Sequence, residues 1–299
     1  MRQFFTLDVF TRTPLTGNPL AVVLDAAGLE SARMQAIARE FNLSETVFIH
    51  PPAAPQHRAG VRIFTPMFEM PFAGHPLIGA ASLLALLSPQ EGAAQAFGLE
   101  APVGHIACVA ERLDDHTART RLRLPKAPAP RPAALSTQAI AAAFGLAPED
   151  LGLAHHTPTR FDAGAMFDFI PVRSLEALAR ARPARPAFDH LFPPPAGLTL
   201  LYTNAAAQDG AEWRVRMFAP GYGVEEDPAT GSAAAAFAGV IMQFAPPGDG
   251  VHAIALRQGV EMGRPSHIGL QLTIGNGLLQ QAELIGEAVI ISSGGLRLY

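Results

Sequence analysis

The chain has 299 residues, 49% hydrophobic and only 16% charged, with 27 glycines and 27 prolines, which describes a folded, turn-rich protein long enough for two cores. Its net charge of -4, with no Lys/Arg cluster, argues against a nucleic-acid partner, because duplex binding depends on basic side chains that displace counterions. The single cysteine, Cys108, excludes an internal disulfide, a zinc ribbon and two-thiol catalysis, and the single lysine, Lys126, lies in the proline-rich LPKAPAPRPAAL, which argues against Schiff-base chemistry.

The N-terminal MRQFFTLDVF alternates like a strand and carries no secretory h-region, so a cytoplasmic protein is expected. LAVVLD follows as a second strand. LESARMQAIAREF (29–41) predicts a helix whose Leu29, Met34, Ile37 and Phe41 form an apolar stripe and whose end is marked by Asn42. NLSETVFI (42–49) then alternates with period two, placing Glu45 on one face with Val47 and Ile49, and Thr46 and Phe48 on the other. A carboxylate on the core side would have its pKa raised by desolvation, as a proton-transfer group needs; a strand end frayed into solvent is the alternative.

RIFTP (62–66) recurs as RMFAP (216–220), 154 positions on. PFAGHP (71–76) is likewise answered by PATGSA (228–233). Each copy opens a charge-free run of twelve residues, 76–87 and 233–244, that ends near proline, at Pro89 and at Pro246. A helix apolar on every side must be buried on every side, and ~18 Å of helix is too short to span a bilayer. No membrane partner is therefore expected.

The remaining strands, LTLLYTN, WRVRMFA, HIGLQLTIG, LQQAELIG and EAVIIS, supply a second wrapping. The expected fold is α+β, with two pseudo-symmetric domains, each a curved mixed sheet or barrel around a central apolar helix. The boundary is placed in the proline-rich 125–132, which reads as an exposed linker, giving domains 1–125 and 126–299, with the last ~15–20 residues able to return to the first. Residues 181–197, also proline-rich, read as a surface loop.

Pro76 reads as the first residue of its helix, which leaves His75 as a poor cap and so a candidate ligand-binding residue. Gly74-His75 and Gly231-Ser232 open the two apolar helices, and helix N-termini offer unpaired N–H groups to anions. Ser232 also reads as a cap. If both N-termini face one cleft, they suit a small carboxylate. Asp227 lies just ahead of the second helix where the first copy has Met70, a polar asymmetry expected of a substrate contact; Glu225 and Glu226 read as solvated. No HExxH, GxGxxG or GxxxxGK[ST] occurs, so no metal or nucleotide cofactor is signalled.

FTPMFEMPFAGHPLIGAA, with DVFTRTPLTGNPLAVV, NLSETVFI, EDPATGSA and QGVEMGRPS, resembles the phenazine biosynthesis PhzF family of isomerases, related in fold to diaminopimelate epimerase and proline racemase. The resemblance runs from residue 8 to residue 266 and implies a diaminopimelate epimerase-like pair of domains, usually in a homodimer, with no cofactor. It implies that Glu45 is the proton shuttle and that Gly74, His75, Asp227, Gly231 and Ser232 bind substrate. It further implies a small cyclic amino-acid-like carboxylate as substrate, with trans-2,3-dihydro-3-hydroxyanthranilate as the reference compound. Two alternatives stay open. One is an epimerase or racemase of a cyclic amino acid using Glu45 and His75 as its two bases; the other is a non-catalytic small-carboxylate-binding protein on the same fold.

Overall fold

The computed structural model describes residues 1–88, 94–133, 135–193, 197–204 and 213–297. They form two compact units, Met1–Pro125 with Glu283–Tyr299, and Lys126–Ala282. Pro89, expected to close the first apolar run, lies outside the described residues.

The first unit runs β1 (Arg2–Val9), β2 (Asn18–Val23), α1 (Ser31–Phe41), β3 (Glu45–His50), β4 (Ala59–Phe64), β5 (Glu69–Met70), α2 (Gly74–Leu86), β6 (Gln95–Ala101), β7 (Gly104–Arg112) and β8 (Thr117–Arg123). The second runs β9 (Ala129–Arg131), α3 (Thr137–Phe144), β10 (Thr159–Asp162), β11 (Met166–Pro171), α4 (Leu175–Arg180), α5 (Ala187–Leu191), β12 (Thr199–Asn204), β13 (Trp213–Ala219), β14 (Val224–Asp227), α6 (Gly231–Phe244), β15 (Gly250–Gln258) and β16 (Ser266–Gly275). Strand β17 (Leu278–Leu296) belongs to the first unit from Glu283 onward.

In the first unit the pairings close on themselves. Strand β1 lies between β17 and β2, β2 runs parallel to β3, β3 antiparallel to β4, and β4 parallel to β6. From there β6, β7, β8 and β17 pair antiparallel in turn, which completes an eight-stranded barrel with no free edge in the ring. Helix α2 contacts β1, β2, β3, β7 and β8 and is buried at every position except Leu84. Its one interior hydroxyl, Ser82, meets the Thr120 hydroxyl at 2.8 Å, so that oxygen is not stranded against the apolar wall.

The second unit repeats the pairing order: β10 antiparallel to β11, β11 parallel to β12, β12 antiparallel to β13, β13 parallel to β15, and β15 antiparallel to β16. Helix α6 contacts β9, β10, β11 and β16. The internal repeat read from RIFTP and RMFAP therefore extends to whole strand order.

Three expectations change. Thr46 and Phe48 are as buried as Val47 and Ile49, because α1 packs on β3 as well: Phe48 sits with Val23, Met34, Ile37, Ala38 and Phe64 in one cluster. Period two thus divides β3 between two cores rather than between core and solvent. The 181–197 stretch is not simply a surface loop, since Phe188 and Phe192 are buried against Ile140, Phe144 and Phe218. The 125–132 segment is tied down rather than a loose linker; β9 pairs with β10, and Lys126 Nζ lies 2.9 Å from Asp162.

Each repeat locks its β-hairpin with one bidentate pair. Arg62 donates to both Glu69 oxygens at 2.7 and 2.6 Å, and Arg216 to both Glu226 oxygens at 2.8 Å. Glu226 is therefore not the solvated residue expected from its neighbour, whereas Glu225 is exposed. Arg216 is fully buried, and its third arm satisfies the carbonyls of Leu178, Ala179 and Ala181 at the C-terminal end of α4. No helix among the described residues is long and apolar enough to cross a membrane.

The two pairs should differ in strength because their burial differs. Arg216→Met should cost about 3–5 kcal/mol, since it strips both donors from the largely buried Glu226 carboxylate, whereas Arg62→Met, at a side chain 25% exposed, should cost about 1 kcal/mol or less. Chemical denaturation of the two variants checks this; equal losses would contradict it.

Candidate active site

Glu45 is the first residue of β3, and His75 the second of α2. The helix begins at Gly74 with Ala73 as its cap and no capping side chain, so His75 is not the cap that its position before Pro76 suggested. Pro76 occupies the third helical position, still within the first turn where its missing N–H costs nothing. The imidazole is thereby free to point inward, and it is 3% exposed.

His75 Nε2 lies 3.1 Å from Glu45 Oε2, with both atoms buried and the angle off the line of a hydrogen bond. On the other side of the ring, Asn18 Nδ2 lies 3.4 Å from Nδ1. Burial pushes the His75 pKa down to about 3, and the positive end of α2 acts in the same direction. Desolvation outweighs the pull of the carboxylate. The contact is therefore a neutral imidazole against a carboxylate side chain, not an ion pair of His⁺ with Glu⁻.

In the second unit, Asp227 ends β14 and is 8% exposed. Its carboxylate accepts from Thr230 Oγ1 at 2.5 Å. Gln258 fastens the same turn: its Nε2 donates to the Asp227 carbonyl at 2.7 Å and to Thr230 Oγ1 at 3.0 Å, while its Oε1 accepts from the Thr230 N–H at 3.1 Å. Thr230, not Ser232, holds the cap position of α6, yet its hydroxyl serves Asp227 instead of capping. Gly231 and Ser232 are the first two helical residues, with Gly231 buried and Ser232 half-buried. Gly259 follows Gln258 at φ 75°, and a Cβ there would meet the Pro228 carbonyl at 2.6 Å, so only glycine lets the QG turn approach DPATGS this closely.

The structure thus brings Glu45 and His75 into contact in the first unit and gathers Asp227, Gly231 and Ser232 in the second. It adds Asn18, Thr230 and Gln258, which sequence reasoning missed although LTGNPL, PATGS and QGVEMGRPS all contained them. No group of His, Cys, Asp or Glu that could hold a metal ion occurs among the described residues. Cys108 is buried in β7 with its thiol pushed up to about 12, as an inert core residue would be.

Comparison with known proteins matches residues 7–294 to the family described as phenazine biosynthesis-like protein, PhzC-PhzF. An uncharacterized isomerase of Mesorhizobium japonicum is 46% identical over 99% of this chain and 98% of its own. The trans-2,3-dihydro-3-hydroxyanthranilate isomerase of Pseudomonas fluorescens is 34% identical over 98% and 99%. Among solved structures, the Bacillus anthracis phenazine biosynthesis protein of the PhzF family superposes with a TM-score of 0.87 at 24% identity, covering 99% of both chains. A probable proline racemase of Agrobacterium radiobacter shares the fold, with a TM-score of 0.66 at 12% identity over 100% of this chain and 94% of its own. The fold is accordingly diaminopimelate epimerase-like. With the family model spanning nearly the whole chain and full-length relatives above 30% identity, the chain belongs to the PhzC-PhzF, phenazine biosynthesis-like family.

Proposed function

We propose that this isomerase moves a proton between two carbons of a small cyclic amino-acid-like carboxylate, of the trans-2,3-dihydro-3-hydroxyanthranilate type, with Glu45 as the single proton shuttle. The observation that carries the reading is the placement of the Glu45 carboxylate 3.1 Å from a buried, neutral His75. A carboxylate so placed is partly desolvated, and one neighbouring donor can steady its charge without competing for the proton. The relative from Pseudomonas fluorescens, named for the isomerisation of that compound, supports the substrate class.

The chemistry balances without a co-reactant. Glu45 takes a proton from one ring carbon, the electron pair of that C–H bond moves into the conjugated system, and the Glu45 carboxyl, in exchange with solvent, returns a proton to another carbon as the double bond shifts. No electrons enter or leave. We assign substrate binding to Gly74 and His75 in the first unit and to Asp227, Gly231 and Ser232 in the second, matching helix N–H groups and a fixed carboxylate to the carboxylate, amino and hydroxyl groups of such a substrate. A two-base epimerase is less well supported, because an imidazole held near pKa 3 is a poor second base at neutral pH.

Incubation with trans-2,3-dihydro-3-hydroxyanthranilate in D2O, followed by NMR, tests the assignment. The wild type should displace the double bond and place deuterium in the ring, and Glu45→Gln should lose at least about 100-fold in kcat. Exchange of one α-proton without movement of the double bond would favour the epimerase, and equal turnover by Glu45→Gln would overturn the role of Glu45.

A further inference from the structure

The segment LTGNPL (15–20) has no part in the chemistry above. Its asparagine is the first residue of β2, fully buried, and sits 57 positions before the histidine it touches. We propose that Asn18 is a positioning residue that holds neutral His75 in its Nε2–H tautomer, so that Glu45 Oε2 is kept as the hydrogen-bond acceptor and Oε1 is the oxygen that carries the shuttled proton. The proposal rests on the assignment of Glu45 as the shuttle.

A neutral imidazole has one donor and one acceptor nitrogen. Asn18 presents Nδ2, a pure donor, to Nδ1 at 3.4 Å, and Glu45 presents a carboxylate oxygen to Nε2 at 3.1 Å. With the proton on Nε2, both contacts pair donor with acceptor. With the proton on Nδ1, an N–H would face an NH2 and a lone pair would face the carboxylate, so both contacts fail together. The Nε2 contact lies off the line of a hydrogen bond, and catalytic hydrogen bonds of this kind are commonly loose outside the Michaelis complex.

The backbone that carries Asn18 is held firmly. The preceding turn is pinned by the Asp8 carboxylate, which accepts from the Leu15 N–H at 2.6 Å, and by the Thr11 and Thr16 hydroxyls, 2.6 Å apart. Gly17 takes φ 67°, and a Cβ there would stand 2.4 Å from the Val9 carbonyl. Asn18 itself is in register with Val9 across β1 and β2. The chain therefore delivers this amide to the Nδ1 edge of the ring from a fixed backbone position.

The consequence for catalysis follows from occupancy. An oxygen that accepts from Nε2–H is less basic than one that does not, and Oε2 is itself buried, so the proton taken from substrate goes to Oε1, and the same oxygen returns a proton. One oxygen then acts as base and as acid, which suits a shuttle between two carbons of one ring.

Long-range ¹H–¹⁵N correlation of histidine-labelled protein without substrate reads the tautomer directly, with the His75 signals identified by their loss in His75→Gln. The wild type should show a pyrrole-type Nε2 and a pyridine-type Nδ1. Asn18→Asp replaces the donor by an acceptor and should reverse the two types, with kcat reduced about tenfold or more and KM changed less. An Nδ1–H tautomer in the wild type, or a pattern unchanged in Asn18→Asp, would overturn the proposal; because the spectrum needs no turnover, it stays separable from the fate of the isomerase assignment.

Discussion

The constraint on which the rest depends is that a helix without a polar face must be enclosed. Residues of α2 present no charge and no amphipathic stripe, so the chain can stabilise them only by surrounding them, and a closed ring of eight strands is the arrangement that does so without leaving an edge. Burying one Leu or Ile side chain is worth about 1.5–3 kcal/mol, and Leu77, Ile78, Leu83 and Leu86 are all within the barrel. Enclosure also decides where polar chemistry can occur. The flank of the helix is unavailable, and its N-terminus, with unpaired N–H groups, is where a histidine can stand against a carboxylate from a neighbouring strand.

The repeat uses the same constraint twice and then departs from it. The Arg-to-Glu forks at Arg62 and Arg216 occupy equivalent strands, and both apolar helices follow equivalent turns. At the start of each helix the copies diverge: His75 meets Glu45 in one, while Asp227, Thr230 and Gln258 form a closed hydrogen-bond cycle in the other.

Much of this was legible in the sequence. The charge-free runs, the recurrence of RIFTP as RMFAP, and the stripe of α1 ending at Asn42, which takes φ 51°, all state local physics that the fold obeys. The caps were less legible. Reading Pro76 as the first helical residue and Ser232 as a cap placed both helix starts too late, because neither true cap, Ala73 nor Thr230, uses its side chain on the helix. Burial of Phe188 and Phe192 was hidden by the prolines around them. Asn18 was beyond sequence reasoning, since nothing local to GNP reveals a partner on α2.

The central claim is that His75 is a neutral donor rather than a second charged or basic group beside Glu45. Titration of the His75 ring by ¹H–¹³C NMR tests it most directly, because a folded-state pKa lowered from 6.5 to about 3 means that the imidazole stays neutral throughout the range in which exposed histidines protonate. The account predicts no change at His75 between pH 8 and pH 5 while the exposed histidines move. A His75 midpoint near 6.5 would make the pair an ordinary ion pair in acid, and would contradict the account.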